Sequence, residues 1–341
     1  ASKGPRKKGL AQKEVTFAEV LKTAGYTTAM FGKWHLGYQP KFNPTKQGFD
    51  VFRGYVGGNI DYHSHIDLAG EEDWWDGTRK VSETGYVTDL ITKHAVRFIE
   101  EHKDEPFCMY LPHGAVHFPY QGRNDPPCRG PNAVYDKLHD RNGRKDRRGA
   151  YKEMTEVMDE SVGRVVETVK RLGLERKTLI FFCSDNGGAI RVGDNRPLRG
   201  GKDTLWEGGH RVPAIAYWPG KIKSGTVTDE TVMTMDVFPT MTAVTGASLP
   251  AGLKLDGVNL LDLLLDGGKL PERTLFWRYT GQQAVRKGPW KLIESIHKKP
   301  GKKNLSLYNL TDDLGEKKDL AALEPERVKQ LQAEWDSFLK I

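Results

Sequence analysis

The sequence has few cysteines, no long apolar run and no internal repeat, and each of these absences closes off a class of molecule. Three cysteines in 341 residues, Cys108, Cys128 and Cys183, give no even-numbered disulfide framework. Cys108 and Cys183 sit inside apolar runs, where a small buried thiol is the ordinary outcome. No run of eighteen or more apolar residues occurs, so no segment reads as a membrane-spanning helix. An apolar leader is also lacking: the chain opens at Ala1 among lysines and arginines, as expected of a processed chain or a piece of a longer one. Charge of one sign is only slightly in excess, 52 Lys and Arg against 45 Asp and Glu, for a net +7. That surplus favours acidic partners over basic ones. Its denser clusters, SKGPRKKG near the start, DRNGRKDRR at 140–148 and KKPGKK at 298–303, read as solvated loop charge rather than a polyanion tract. Neither nucleic acid nor membrane is expected as a partner.

What is present is alternation of two periods in a chain long enough for one large core and a smaller appended unit. In VTFAEVLKTAG, Thr16 and Glu19 form a capping box and Val15 with Val20 a hydrophobic staple, predicting a helix from Phe17 that stops at Gly25. Tyr26 to Phe31 reads as a strand. Val87, Leu90, Ile91, Ala95, Phe98 and Ile99 recur at helical spacing, and Pro106 then precedes the apolar run FCMYL. A third amphipathic helix runs from Tyr151 to Leu172 and is closed by Gly173. It is followed by TLIFFC at 178–183, apolar throughout as a strand covered on both faces should be. This alternation predicts an α/β domain with a largely parallel sheet. From about Arg273, LFWRY, QQAVRKG, PWKLIES and LSLYNL read as short strands, and Glu324 to Leu339 as a closing helix, together a small α+β unit. Between 37 and 85 there is little periodicity and much Gly, Asp, His and Trp, which predicts a long surface excursion.

In open α/β sheets ligands bind beyond the carboxyl ends of the strands, so the residues just past each strand are the ones to inspect. After YTTAMF come Lys33 and His35, after FCMYL come His113 and His117, and after TLIFFC come Asp185 and Asn186 with Gly187 and Gly188. One carboxylate, one amide, lysine and histidines gathered at one edge suit an oxygen-ligated hard cation beside an anionic substrate. Each piece also has a plain structural reading: a solvated lysine, a turn histidine, an Asp-Asn-Gly-Gly turn that tolerates left-handed backbone. Their joint placement after three successive strands favours a site.

GKWHLG at 32–37, AVHFP at 115–119, SDNGG at 184–188 and LRGGKDTLWEGGHRVPAIAYWPG at 198–220 resemble the signature segments of the formylglycine-dependent sulfatases, of the arylsulfatase A and N-acetylgalactosamine-6-sulfatase kind. They occur in the family's order, from about Val15 to the closing helix. The resemblance implies an alkaline phosphatase-like α/β sandwich, with helices on a large, mostly parallel sheet over residues 1–270 and a small C-terminal α+β subdomain over 271–341. It implies that Lys33 and His35 stand beside the nucleophile, that His117 faces the leaving oxygen, that Lys202 is a second lysine gripping the sulfate ester, and that Asp185 and Asn186 ligate Ca2+. The implied activity is hydrolysis of sulfate monoesters. A metal ion and lysines offset charge while a histidine donates a proton to the leaving oxygen. His210 and Arg199, close to Lys202 in sequence, receive no role.

One part of the pattern is missing. The family makes its formylglycine nucleophile from a Cys-x-Pro-x-Arg segment or its serine version, and none of the three cysteines stands in such a segment. The nucleophile, its arginine and a pair of metal-ligating aspartates are therefore expected in a preceding segment, and the chain alone is expected to be inactive by the family's mechanism. Two other readings stay open: a non-catalytic sulfatase-like protein that binds sulfated ligands, and a phosphodiesterase or phosphonate hydrolase of the same superfamily. The substrate is expected to be a small or carbohydrate sulfate ester. Tyr62, His63, His65, Trp74 and Trp75 in the excursion either offer faces to a sugar or anchor the loop. The resemblance further implies a formylglycine-generating enzyme as partner of the complete protein, and a periplasmic, secreted or lysosomal location.

Overall fold

Thr16 begins the first helix as its sequence dictates: its hydroxyl accepts from the Glu19 amide at 3.2 Å, and its own amide donates to the Glu19 carboxylate at 2.8 Å. The computed structural model describes residues 7–132, 144–295 and 304–340; the basic cluster at 298–303 and parts of those at 2–9 and 140–148 lie outside them. In chain order the first elements are α1 (Phe17–Thr23), β1 (Thr27–Lys33), β2 (Val51–Tyr55), β3 (Trp75–Asp76), β4 (Arg79–Lys80), α2 (Val87–Glu101), β5 (Phe107–Tyr110) and α3 (Arg147–Arg171). There follow β6 (Ile180–Cys183), α4 (Glu207–His210), β7 (Ala214–Tyr217), α5 (Val237–Thr245) and α6 (Leu261–Asp266). The chain closes with β8 (Thr274–Tyr279), β9 (Gln282–Lys287), β10 (Trp290–Ser295), β11 (Asn304–Asn309) and α7 (Pro325–Phe338). Two units result, Ala1–Leu179 with Trp218–Gly268, and Ile180–Tyr217 with Lys269–Ile341.

The first unit holds a five-stranded sheet in the order β4-β3-β2-β1-β5. Its β1 runs parallel to both neighbours, with Lys33 opposite Tyr55 on β2 and Met30 opposite Tyr110 on β5. The strand is buried on both faces, as an interior parallel strand should be. Ala29 and Phe31 enter a cluster with Ile91, Phe98 and Val165 from α2 and α3, while Met30 faces Trp34, Phe49 and Phe52. Each such apolar side chain contributes about 1.5–3 kcal/mol by leaving water. Val20 and Leu21 of α1 pack with Val15 and with Phe238 and Met241 of α5.

In the second unit β8 to β11 form an antiparallel meander, and α7 buries Leu331 and Trp335 against Val285, Leu292 and Leu307. The apolar run 178–183 does form a strand, but its four residues are half-buried and pair antiparallel with β7. An apolar run fixes what a strand can bury, not how many neighbours it has. The fold is mixed α/β: a central sheet with a parallel core, flanking helices and a C-terminal antiparallel sheet. Among the described residues no helix is long and apolar enough to cross a membrane.

Candidate active site

Because β1, β2 and β5 are parallel, their carboxyl ends lie at one edge of the first unit's sheet; Lys33 is the last residue of β1, and His35 and His117 follow the ends of β1 and β5. Glycine allows the strand ends to approach. A Cβ on Gly32 would stand 2.1 Å from the Pro112 carbonyl oxygen, and one on Gly54 2.1 Å from the Gly32 carbonyl oxygen. The Lys33 amide donates to Pro112 at 2.8 Å, which ties the end of β1 to the loop that carries His117. Trp34 turns inward and donates its indole N–H to the Phe42 carbonyl at 2.7 Å. His35 then turns outward, exposed, with a φ of 57° in the left-handed region. That backbone is uncommon for a residue with a side chain, and such outliers gather at functional sites.

His117 sits on a loop held from several sides. Its amide donates to Gly114 at 2.9 Å, and its carbonyl accepts from the Tyr62 hydroxyl at 3.1 Å. Its Nδ1 lies 3.0 Å from the Phe118 carbonyl, so in the neutral ring that nitrogen carries the proton. Asp61 fastens the same loop to the excursion: it accepts from the amides of His63, Ser64, Cys128 and Arg129 and from the Gln121 side chain. These hydrogen bonds outweigh its burial and hold its carboxyl below the usual range.

His113, which follows the same strand, goes elsewhere. Its Nε2 lies 3.3 Å from the Ser161 hydroxyl on α3, which in turn bonds Thr92 on α2. Burial pushes its imidazole down to about 4. The ring is neutral near pH 7. Of the excursion's five rings, Tyr62, His65 and Trp74 are 3%, 5% and 1% exposed and anchor the loop, whereas His63 and Trp75 are half-buried. Trp74 donates to Glu83 at 3.1 Å, with the His65 ring 5.1 Å away.

In the second unit Asp185, Asn186 and Lys202 occupy adjoining loops. The Lys202 amide donates to Gly188 at 3.1 Å, and the Gly187 amide to Gly209 at 3.0 Å. Asn195 binds this turn from inside, accepting from the Gly188 amide at 2.8 Å and donating to the Gly188 and Gly200 carbonyls at 2.9 and 3.2 Å. Asp203, next to Lys202, accepts from the Tyr279 hydroxyl at 2.7 Å. The following EGGH segment rests on a buried ionic cluster: Lys291 Nζ is 2.8 Å from Glu207 and 2.9 Å from Glu316. The Lys291 ammonium draws the Glu207 carboxyl down against the effect of burial. His210, stacked on Trp277 at 4.6 Å, is pushed down to about 4 by burial and by Lys291. Arg199 lies over Trp206 at 3.7 Å and donates to the Glu316 carbonyl at 2.8 Å.

The six residues to which the resemblance gives roles form two groups of three, Lys33, His35 and His117 in one unit, Asp185, Asn186 and Lys202 in the other. Asn195 and the Lys291 cluster are not singled out by the sequence. Only the doubled glycines near them gave any sign. Asp185 and Asn186 offer oxygen donors of the class calcium prefers, but two side chains fall short of its about six to eight ligands. Among the described residues no group of three or more His, Cys, Asp or Glu side chains is placed to hold a metal ion. None of the cysteines is in a disulfide, and burial pushes the Cys108 thiol up to about 12, far from a reactive thiolate.

Comparison with known proteins gives a consistent result. The sulfatase family model matches residues 2–247, and that of the N-sulphoglucosamine sulphohydrolase C-terminal region matches 201–339. The chain is 33% identical to mouse (Mus musculus) N-acetylgalactosamine-6-sulfatase over 303 residues, covering 83% of this chain and 55% of that protein. It is 33% identical to arylsulfatase A of Bos taurus over 323 residues, covering 83% and 59%. It thus spans little more than half the length of these relatives. The crystal structure of Ps i-CgsB superposes with a TM-score of 0.83 at 28% identity, covering 97% of this chain and 75% of that one. A second structure of Ps i-CgsB holds k-i-k-neocarrahexaose.

Proposed function

Because the chain belongs to the sulfatase family, we propose that it carries the substrate-facing residues of an enzyme that hydrolyses sulfate monoesters of carbohydrates. The observation that carries this reading is that Lys33 ends β1 while His35 and His117 follow the carboxyl ends of the neighbouring parallel strands β1 and β5. Lys33 and Lys202 are point charges suited to a compact sulfate anion. His35, beside Lys33, stabilises the negative charge on the oxygens of the nucleophile and of its sulfated adduct. His117 serves the leaving oxygen: with Nδ1 directed at the Phe118 carbonyl, Nε2 of the imidazolium is the nitrogen that donates as the ester bond breaks. Charge growing on the departing alcohol is neutralised by that proton.

In the family a formylglycine supplies the nucleophile and Ca2+ offsets the sulfate charge. Asp185 and Asn186 are the residues of this chain we assign to the metal. A formylglycine-generating enzyme would be the processing partner, and an exported or lysosomal compartment follows from the same reading. Carbohydrate sulfate is favoured by the name of the galactosamine sulfatase relative and by the oligosaccharide bound to Ps i-CgsB. The test is sulfate release from an aryl sulfate by the full-length gene product and its His117→Ala variant. The variant is expected to lose about a hundred-fold or more in kcat. The loss should shrink with substrates whose leaving group needs no proton. Equal losses on good and poor leaving groups would remove His117 from the acid role.

A further inference from the structure

The excursion after β2 reaches His35 through two glycines with different neighbours. A Cβ on Gly57 would stand 2.6 Å from an Asp73 carboxylate oxygen. A Cβ on Gly58 would stand 2.6, 2.9 and 3.1 Å from Nε2, Cε1 and Cδ2 of the His35 ring, its three nearest atoms. Gly58 lies outside the left-handed region, so no backbone requirement calls for glycine there. The ring requires it. The neighbouring Val56 carbonyl accepts from the His35 amide at 3.2 Å, so one turn holds both the backbone and the imidazole of this residue.

Asp73 fixes the turn. Its carboxylate accepts from the Val56 amide at 3.1 Å, the Gly57 amide at 2.7 Å and the Trp75 indole N–H at 2.6 Å. It is 3% exposed, and its own amide donates to the His65 carbonyl at 3.0 Å, inside the anchored part of the excursion. A buried carboxylate with three converging N–H donors is costly to disturb, because each donor would lose its partner away from water.

We propose that Gly58 and Asp73 are positioning residues for His35: the Gly57–Gly58 turn is the seat of the imidazole, and the Asp73 carboxylate sets the height of that seat. The proposal rests on the reading of His35 as a substrate-facing residue. The three atoms nearest a methyl group at position 58 all belong to the ring, a side chain that can move, so Gly58→Ala displaces the imidazole while sparing the fold. Ordinary carbon contact is about 3.5–4.0 Å, so the ring must retreat by about 1 Å. A misplacement of that size costs about a hundred-fold in rate where the group acts on the reaction.

The experiment compares the full-length gene product with its Gly58→Ala, Asp73→Asn, His35→Ala and His35→Ala/Gly58→Ala variants. Aryl sulfate kinetics, thermal midpoint and the 15N-histidine spectrum are recorded for each. Gly58→Ala is expected to shift the His35 ring resonances, identified by their loss in His35→Ala, and to lower kcat about a hundred-fold at an unchanged thermal midpoint. In the His35→Ala background it should cost nothing further, because the ring it displaces is gone. Unshifted His35 resonances, or an equal loss with and without His35, would overturn the proposal, whether or not Asp73→Asn folds. Shifted resonances with a fully active His35→Ala would leave the seat standing and remove the catalytic reading of His35.

Discussion

Two histidines four residues apart leave the same strand for different environments, and this separation was not legible in HGAVH. His117 is held at the sheet edge, whereas His113 is drawn against Ser161, and only the position of α3 decides between them. His113 makes the first unit sensitive to acid in a defined direction. Its pKa falls from 6.5 to about 4 on folding, so the unfolded chain takes up a proton across that window and the folded one does not. Stability from this group is complete above pH 6.5 and is lost as pH falls towards 4, by up to about 3 kcal/mol. His113→Leu should therefore flatten the decline of thermal midpoint between pH 7 and 5; an unaltered decline would mean that His113 is protonated in the fold. At the same scale, the place of Lys33 and His35 at the end of a strand could be read from sequence, because the apolar run YTTAMF stops just before them. Asp73 could not, since its partners Val56 and Gly57 lie sixteen or more residues away.

Elements whose signal is local were legible, and those defined by pairing were not. The capping box of α1 formed as written because it involves only residues 16 to 19. The four strands and closing helix after 273 were likewise evident from their periods. The antiparallel pairing of β6 with β7 was hidden, because an apolar run carries no record of its neighbour's direction. Lys291 on β10 lies in a strand that reads as ordinary alternation, yet it is 0% exposed between Glu207 and Glu316. Replacing it with Met leaves two carboxylates buried without their cation. The expected cost is about 3–5 kcal/mol in denaturant unfolding. A loss below about 1 kcal/mol would show that water or the nearby Arg286 takes over the role.

For the molecule as a whole, the ordered motifs were the most informative part of the sequence, since they join segments that no periodicity relates. They anticipated the α/β class and the family to which the chain belongs. They did not reveal that the long excursion is a buried scaffold, with Trp74 and Tyr62 inside and its glycine turn under His35. On the proposed function, this scaffold and the strand ends serve sulfate ester chemistry. The most direct measurement is kcat/KM of the full-length gene product on a matched pair of esters of one alcohol, a sulfate monoester and a phosphonate monoester. A clear preference for the sulfate, with a large loss of sulfate kcat/KM in Lys33→Ala, is the predicted result. Faster cleavage of the phosphonate, or sulfate turnover untouched by Lys33→Ala, would contradict it.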